Sequence, residues 1–205
     1  MTTMLWRQTA TAIRLLIAFT IICGIAYPLL VWGVAHIPGL ANQAEGSIIT
    51  SANGTPVGSS LIGVDPVAAN PAADPYFHTR PSASASDVLG PADTTTSGGS
   101  NKSTVNPDLL ATIDQRRALI AEREGVAPAL VPPDAVTASG SGLDPDISPA
   151  YAQLQEARVA RVTGLPLSTV QRLVAASSSG RMLGFLGEPT VNVTELNLAV
   201  QQATG

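Results

Sequence analysis

A conventional ligand site would have little to draw on in this sequence. Among 205 residues there is one cysteine, Cys23, and there are two histidines, His36 and His78. A lone cysteine excludes an intramolecular disulfide and a cysteine-ligated zinc, and two isolated histidines leave no histidine-rich metal centre. Aromatic residues are only 4% of the chain, so Ala, Val and Leu must carry most of any core. Cations are scarce as well. Eleven Lys and Arg against 15 Asp and Glu give a net charge of -4, the opposite of a nucleic-acid binder.

What the chain does have is one long apolar run. From Leu15 to Ala35, LLIAFTIICGIAYPLLVWGVA extends 21 residues without a charge. At about 1.5 Å per residue it crosses a hydrocarbon core of about 30 Å. Gly24 and Pro28 are tolerated inside membrane helices, and Trp32 suits the headgroup interface. Arg7 and Arg14 precede the run, and the next cation is Arg80. The positive-inside rule therefore predicts a cytoplasmic N-terminus over residues 1–12, a membrane helix over 13–35 and an extracytoplasmic domain over 36–205. Gly33-Val34-Ala35 would suit a signal peptidase, but the run exceeds an ordinary signal-peptide core. Thr20-Ile21-Ile22 lacks the small residue that lipoprotein processing at Cys23 needs. The reading is a retained anchor in the inner or plasma membrane. Ala18, Gly24, Ala26 and Gly33 would let a partner helix approach it closely.

The remainder carries nine Lys and Arg against 15 acids, near -6. Short strands are expected at Ser47–Ile49 and Ser60–Val64, with Asn53-Gly54 as the turn. From Ala73 to Pro107 composition alone suggests disorder. Helix signals follow. Asn106-Pro107 opens a helix that stops before Gly125, and Ser148-Pro149 opens one that runs to Gly164. Ser168 with Gln171, and Asn192 with Glu195, form capping boxes for two more. The fold class is α+β: one membrane helix, then a single domain with short strands and several helices.

The most unusual stretch is VTASGSGLDPDISP, Val136–Pro149. Gly140-Ser141-Gly142 is too short for a nucleophile elbow, and no signature ties either histidine to Ser141. Asp144 and Asp146 resemble the start of a calcium loop, but Pro149 and Gln155 occupy the positions that need glycine and glutamate. Those carboxylates are expected to lead into the helix opened by Ser148-Pro149. Ser97–Ser103 lacks the glycines of a phosphate loop, and no Asp-Lys-Thr-Gly phosphorylation motif occurs. Asn53, Asn101 and Asn192 stand in glycosylation sequons, which carry no argument here. Two functions remain open on the residues alone: an anchored extracytoplasmic hydrolase using Ser141, or a free-standing cation-binding module using the acids.

Taken in order, the polar stretches resemble one family. YFHTRPSA (with Tyr76, Phe77, Arg80, Pro81 and Ser82), SGGSN (Gly98, Gly99, Ser100, Asn101) and NPDLL (Asn106, Pro107) come first. VTASGSGLDPDISP (Ser139, Gly140, Ser141, Gly142, Asp144, Pro145, Ser148, Pro149) and LGEPTVNVTELN (Gly187, Glu188, Pro189, Asn192, Asn197) follow. Together with Tyr27-Pro28 in the membrane run, they look like KdpC, the C subunit of the bacterial Kdp potassium-transporting ATPase. Asp146 and Thr190 depart from the histidine and arginine common in that family. The resemblance implies a non-catalytic accessory subunit, without cofactor or metal of its own, in a complex that uses ATP and transports potassium. Its implied partners are a channel-like potassium-translocating subunit, a P-type ATPase subunit and a small one-helix subunit, besides membrane lipid. It implies a domain near the potassium entrance that supports assembly and turnover. Any effect on ATP affinity would be indirect, because the two sites lie across the membrane. The polar residues named above are then interface or structural candidates. VTASGSGLDPDISP is expected to form a rigid surface beside RPSA and SGGSN, with Arg80 pairing Asp144 or Asp146.

Overall fold

The computed structural model describes residues 2–51 and 53–205. The chain divides into two compact units, Met1–Ser47 and Ile48–Gly205.

In the first unit an α-helix, α1 (Thr2–Ile21), passes through a π-turn at Ile22–Ala26 into α2 (Tyr27–Ala35), and a short α3 (Ala41–Ala44) follows. Thr3–Ala35 is long and apolar enough to cross a membrane. At about 1.5 Å per residue it spans about 50 Å, so Arg7 and Arg14 have room to stand outside the hydrocarbon. The π-turn has a local cause. Pro28 has no N–H and its ring would strike the carbonyl of Gly24, so the turn before it widens and the Tyr27 N–H donates to the Ile22 carbonyl.

The second unit begins with an antiparallel hairpin, β1 (Ile48–Thr50) with β2 (Pro56–Ser59). Its turn is closed by Gly54 N–H on Ser51 O at 2.9 Å, while Asn53 Oδ1 accepts from Thr55 N–H at 3.1 Å. The second strand thus falls before the expected Ser60–Val64. There the chain makes an isolated bridge between Ser59 and Ile62, Gly63 N–H donates to Leu143 O at 2.7 Å, and Ser60 O accepts from Asn192 Nδ2 at 2.9 Å. Gly63 crosses the backbone of Asp144 too closely for any Cβ, which excludes a regular ladder at that point.

Helices α4 (Pro107–Glu124), α5 (Pro133–Val136), α6 (Pro149–Thr163), α7 (Leu167–Ala176) and α8 (Val193–Thr204) surround a small antiparallel sheet. Its strands are β3 (Asp146–Ile147), β4 (Ser178–Ser179) and β5 (Thr190–Asn192), in the order β3-β5-β4. Asn106, Ser148 and Asn192 cap as expected, each side-chain oxygen accepting a backbone N–H of the first turn. Ser168 does not. Pro166 is the residue at the cap of α7 and places Ser168 inside the first turn. Phe77, Ile120, Ile147, Tyr151, Val159, Val170, Val191 and Leu196 form the core. Composition misleads over residues 73–107. The backbone there is irregular, yet Asp74, Phe77, His78 and Ser82 are buried.

Candidate functional site

Three of the polar stretches meet at one place. Ser139 N–H donates to Pro81 O at 2.9 Å, and Gly98 N–H donates to Ser141 O at 2.8 Å. Ser97 Oγ adds a bond to the same Ser141 carbonyl at 3.1 Å. Inside the 139–143 loop, Ser139 Oγ accepts from Gly142 N–H and Ser141 Oγ accepts from Leu143 N–H, both at 3.1 Å. These hydroxyls replace the backbone partners that an irregular loop would otherwise lack. The contact depends on missing side chains. A Cβ on Gly142, held at φ 71°, would lie 2.8 Å from both Gly98 O and Ser82 Oγ. A Cβ on Gly99 would lie 3.1 Å from Gly140 O.

Arg80 ties this loop to the strand beyond it. Its Nη1 lies 3.3 Å from Asp144 Oδ2, and its Nη2 donates to Ala138 O at 3.4 Å. Its buried Nε finds no hydrogen-bond partner among the described residues. Asp144 Oδ1 accepts from Asp146 N–H at 3.0 Å. Asp146 itself does not lead into a helix; it pairs with Asn192 across β3 and β5. Burial and the neighbouring Asp144 push its carboxyl above the usual range. Thr190 stands on β5 within hydrogen-bonding reach of Asp146. Glu188 and Pro189 line an open groove with Asp134, Asp144, Asp146 and Ser148.

A second constellation brings the candidates Tyr76, Phe77 and Asn197 together with residues that sequence reasoning missed: Gln155, Arg158, Glu124, Arg123 and His78. The YFH segment lies extended between two helices, each offering one amide side chain. Asn197 accepts from Phe77 N–H and donates to Phe77 O, both at 2.8 Å. Gln155 accepts from His78 N–H at 2.8 Å and donates to His78 O at 3.3 Å. The two amides thus act as a one-residue substitute for a neighbouring strand. Beneath them the Arg158 guanidinium, 3% exposed, meets both Glu124 oxygens at 3.1 and 3.0 Å and the carbonyls of Asp74 and Tyr76 at 2.8 and 2.9 Å. Arg123 meets Glu124 from the other side at 2.7 Å and donates to Tyr151 Oη at 3.0 Å. Burial pushes the Tyr151 phenol up. His78 presents Nδ1 to Asp65 at 3.0 Å and Nε2 to Asp74 at 2.5 Å. Burial works against the Asp74 carboxylate, but the hydrogen bond and charge of His78 outweigh it and leave its pKa lowered. Buried charges of this kind persist only when paired and hydrogen-bonded. The one sequence signal for them was the YFHTRPSA stretch itself; the partners on α4 and α6 have no periodicity that announces them.

The remaining candidates lie elsewhere. Tyr27 and Pro28 belong to the first unit. Asn106 and Pro107 start α4, and Gly187 stands on the exposed turn before β5. Ser100 and Asn101 are exposed, with Asn101 at φ 51°. Pro145 O accepts from Val193 N–H at 2.9 Å, joining β3 to α8. Among the described residues no group of three or more His, Cys, Asp or Glu is placed to hold a metal ion.

The sequence has relatives among known proteins over nearly its whole length. A protein of Kineococcus radiotolerans described as a potassium-transporting ATPase KdpC subunit is 45% identical over 201 residues, covering 98% of this chain and 96% of its own. Proteins with the same description from Geobacter sulfurreducens and Caulobacter vibrioides are 45% identical over 195 residues and 48% over 183. They cover 95% and 89% of this chain, and 97% and 86% of their own lengths. A family model described as KdpC, the c chain of the K+-transporting ATPase, matches residues 9–202, so this chain belongs to the KdpC family of potassium-transporting ATPase subunits.

Proposed function

We propose that this chain is a non-catalytic, single-pass subunit of an ATP-driven potassium-uptake complex, its N-terminus cytoplasmic and residues 36–205 extracytoplasmic. The observation that carries the reading is family membership over residues 9–202 in a chain with one N-terminal helix fit to span a membrane. Arg7 and Arg14 before the apolar run, with no further Lys or Arg until Arg80, support the orientation. The working partners are a channel-like subunit that passes potassium, a P-type subunit that hydrolyses ATP and a small one-helix subunit. The domain braces their outer face near the potassium entrance, supporting assembly and turnover, and takes no cofactor of its own.

The chemistry of the polar loop supports a structural over a catalytic role. Ser139 and Ser141 both accept backbone N–H groups of their own loop, and both ring nitrogens of His78 face carboxylates. A serine nucleophile needs a free base within reach, and His78 is committed elsewhere. The test is purification of the tagged full-length chain from potassium-starved membranes in mild detergent. Stoichiometric recovery of a P-type ATPase subunit with a multi-span partner is expected. Recovery of the chain alone, from membranes in which the pump is intact, would overturn the reading.

A further inference from the structure

Between β4 and β5 the chain forms a hairpin tip that its own core does not use. Met182 N–H donates to Leu186 O and Leu186 N–H to Met182 O, each at 2.9 Å, while Gly184 N–H closes on Arg181 O at 3.0 Å. The turn holds out Met182, Leu183, Phe185 and Leu186 at 71%, 79%, 69% and 47% exposure. None of the four packs against the hydrophobic core. A contiguous set of large apolar side chains on a soluble surface marks an interaction site, where scattered ones do not. Leu183 is held at φ 53°, a left-handed conformation unfavourable for any residue with a branched side chain. The only charges on the hairpin, Arg181 and Glu188, neutralise each other at 2.6 Å.

We propose that this tip docks into an uncharged, apolar pocket on the extracytoplasmic face of another polypeptide of the complex, an inference that rests on the subunit reading above. Two features select a protein pocket over a lipid surface. Interfacial insertion draws on unpaired Lys and Arg beside the apolar residues, and here the one arginine is paired within a domain near -6. A bilayer is also fluid and rewards apolar area without regard to turn shape. A turn closed by three backbone hydrogen bonds, with Leu183 at positive φ, presents its side chains in one fixed arrangement, which a shaped pocket can match and a fluid bilayer cannot. Four exposed apolar side chains rimmed by a neutral ion pair have the layout of an interface centre.

The experiment places a photo-reactive residue in the full chain, Phe185→p-benzoylphenylalanine, and irradiates it in membranes that contain the complex. Leu130→p-benzoylphenylalanine, at an exposed leucine outside the tip, is the control. The expected result is an adduct between position 185 and another subunit, absent from position 130. Adducts with lipid only, with a second copy of the chain, or equally from both positions would overturn the docking inference. If the ATPase subunits still co-purify in that case, the subunit reading stands; if none co-purifies, both fall. In a second measurement the pair Leu183→Asp and Phe185→Asp should weaken retention of the chain in the purified complex by on the order of tenfold or more. Unchanged retention would refute the docking.

Discussion

Replacing Arg158 by alanine should be among the most damaging single changes in the domain. The guanidinium is 3% exposed and serves five oxygens: two of Glu124, the carbonyls of Asp74 and Tyr76, and Oε1 of Gln155. Removing one partner of a buried ion pair typically costs about 3–5 kcal/mol, because the other charge stays buried. Here Arg123 remains 2.7 Å from Glu124, which places the expected cost near the lower end, about 3 kcal/mol. The two stranded carbonyls account for much of it, and they anchor the YFH segment. At about 2–4 °C of midpoint per kcal/mol for a domain of this size, the shift is about 6–12 °C downward. Arg158→Lys keeps the charge but has no planar fork to span Glu124 and both carbonyls, so it should recover less than half of the loss. Thermal unfolding of the full chain in mild detergent, followed by tyrosine near-ultraviolet circular dichroism, reads this directly. Tyr76 and Tyr151 are the only tyrosines outside the membrane run, and both tryptophans, Trp6 and Trp32, precede the domain. A midpoint within about 2 °C of the parent for Arg158→Ala would refute the reasoning, since that corresponds to about 1 kcal/mol or less.

Two further outcomes probe the loop junction. Gly142→Ala should lower the midpoint markedly, because its Cβ would meet Gly98 O and Ser82 Oγ at 2.8 Å from a positive φ, while Gly98→Ala, with open space around its Cβ, should change it little; equal effects in the same melting experiment would sink the close-approach argument. Asp146 has a raised folded pKa, so the stability it contributes is fully present below its unfolded value of 3.8 and is lost as pH rises through the folded value. At pH 7 its carboxylate is therefore a net cost, and Asp146→Asn should raise the midpoint there, with the gain vanishing near pH 3; a gain that is the same at both pH values would contradict the assignment.

Much of this architecture is legible locally. Asn106, Ser148 and Asn192 announce their helices because a side-chain oxygen followed by proline or glutamate satisfies first-turn N–H groups within three residues. Where the sequence reading slipped, a neighbour in space had decided the matter. Ser168 had the capping pattern but Pro166 set the helix start, and Ser60–Val64 had strand composition but Gly63 had to cross Asp144. The expected pairing of Arg80 resolves to Asp144, because β3 turns Asp146 toward β5.

The apolar helix, its charge asymmetry, most helix starts and the ordered motifs that identify the family are written locally along the chain. They depend on periodicity and on contacts within a few residues. Which polar groups share a buried space is a property of the folded chain alone. Arg158 lies 34 residues from Glu124, and Asn197 lies 120 from Phe77. Chain closure over such distances leaves no local trace, since each partner alone looks like an ordinary surface residue. Their pairing comes from burial: a charge or amide removed from water must find its complement wherever the fold delivers one.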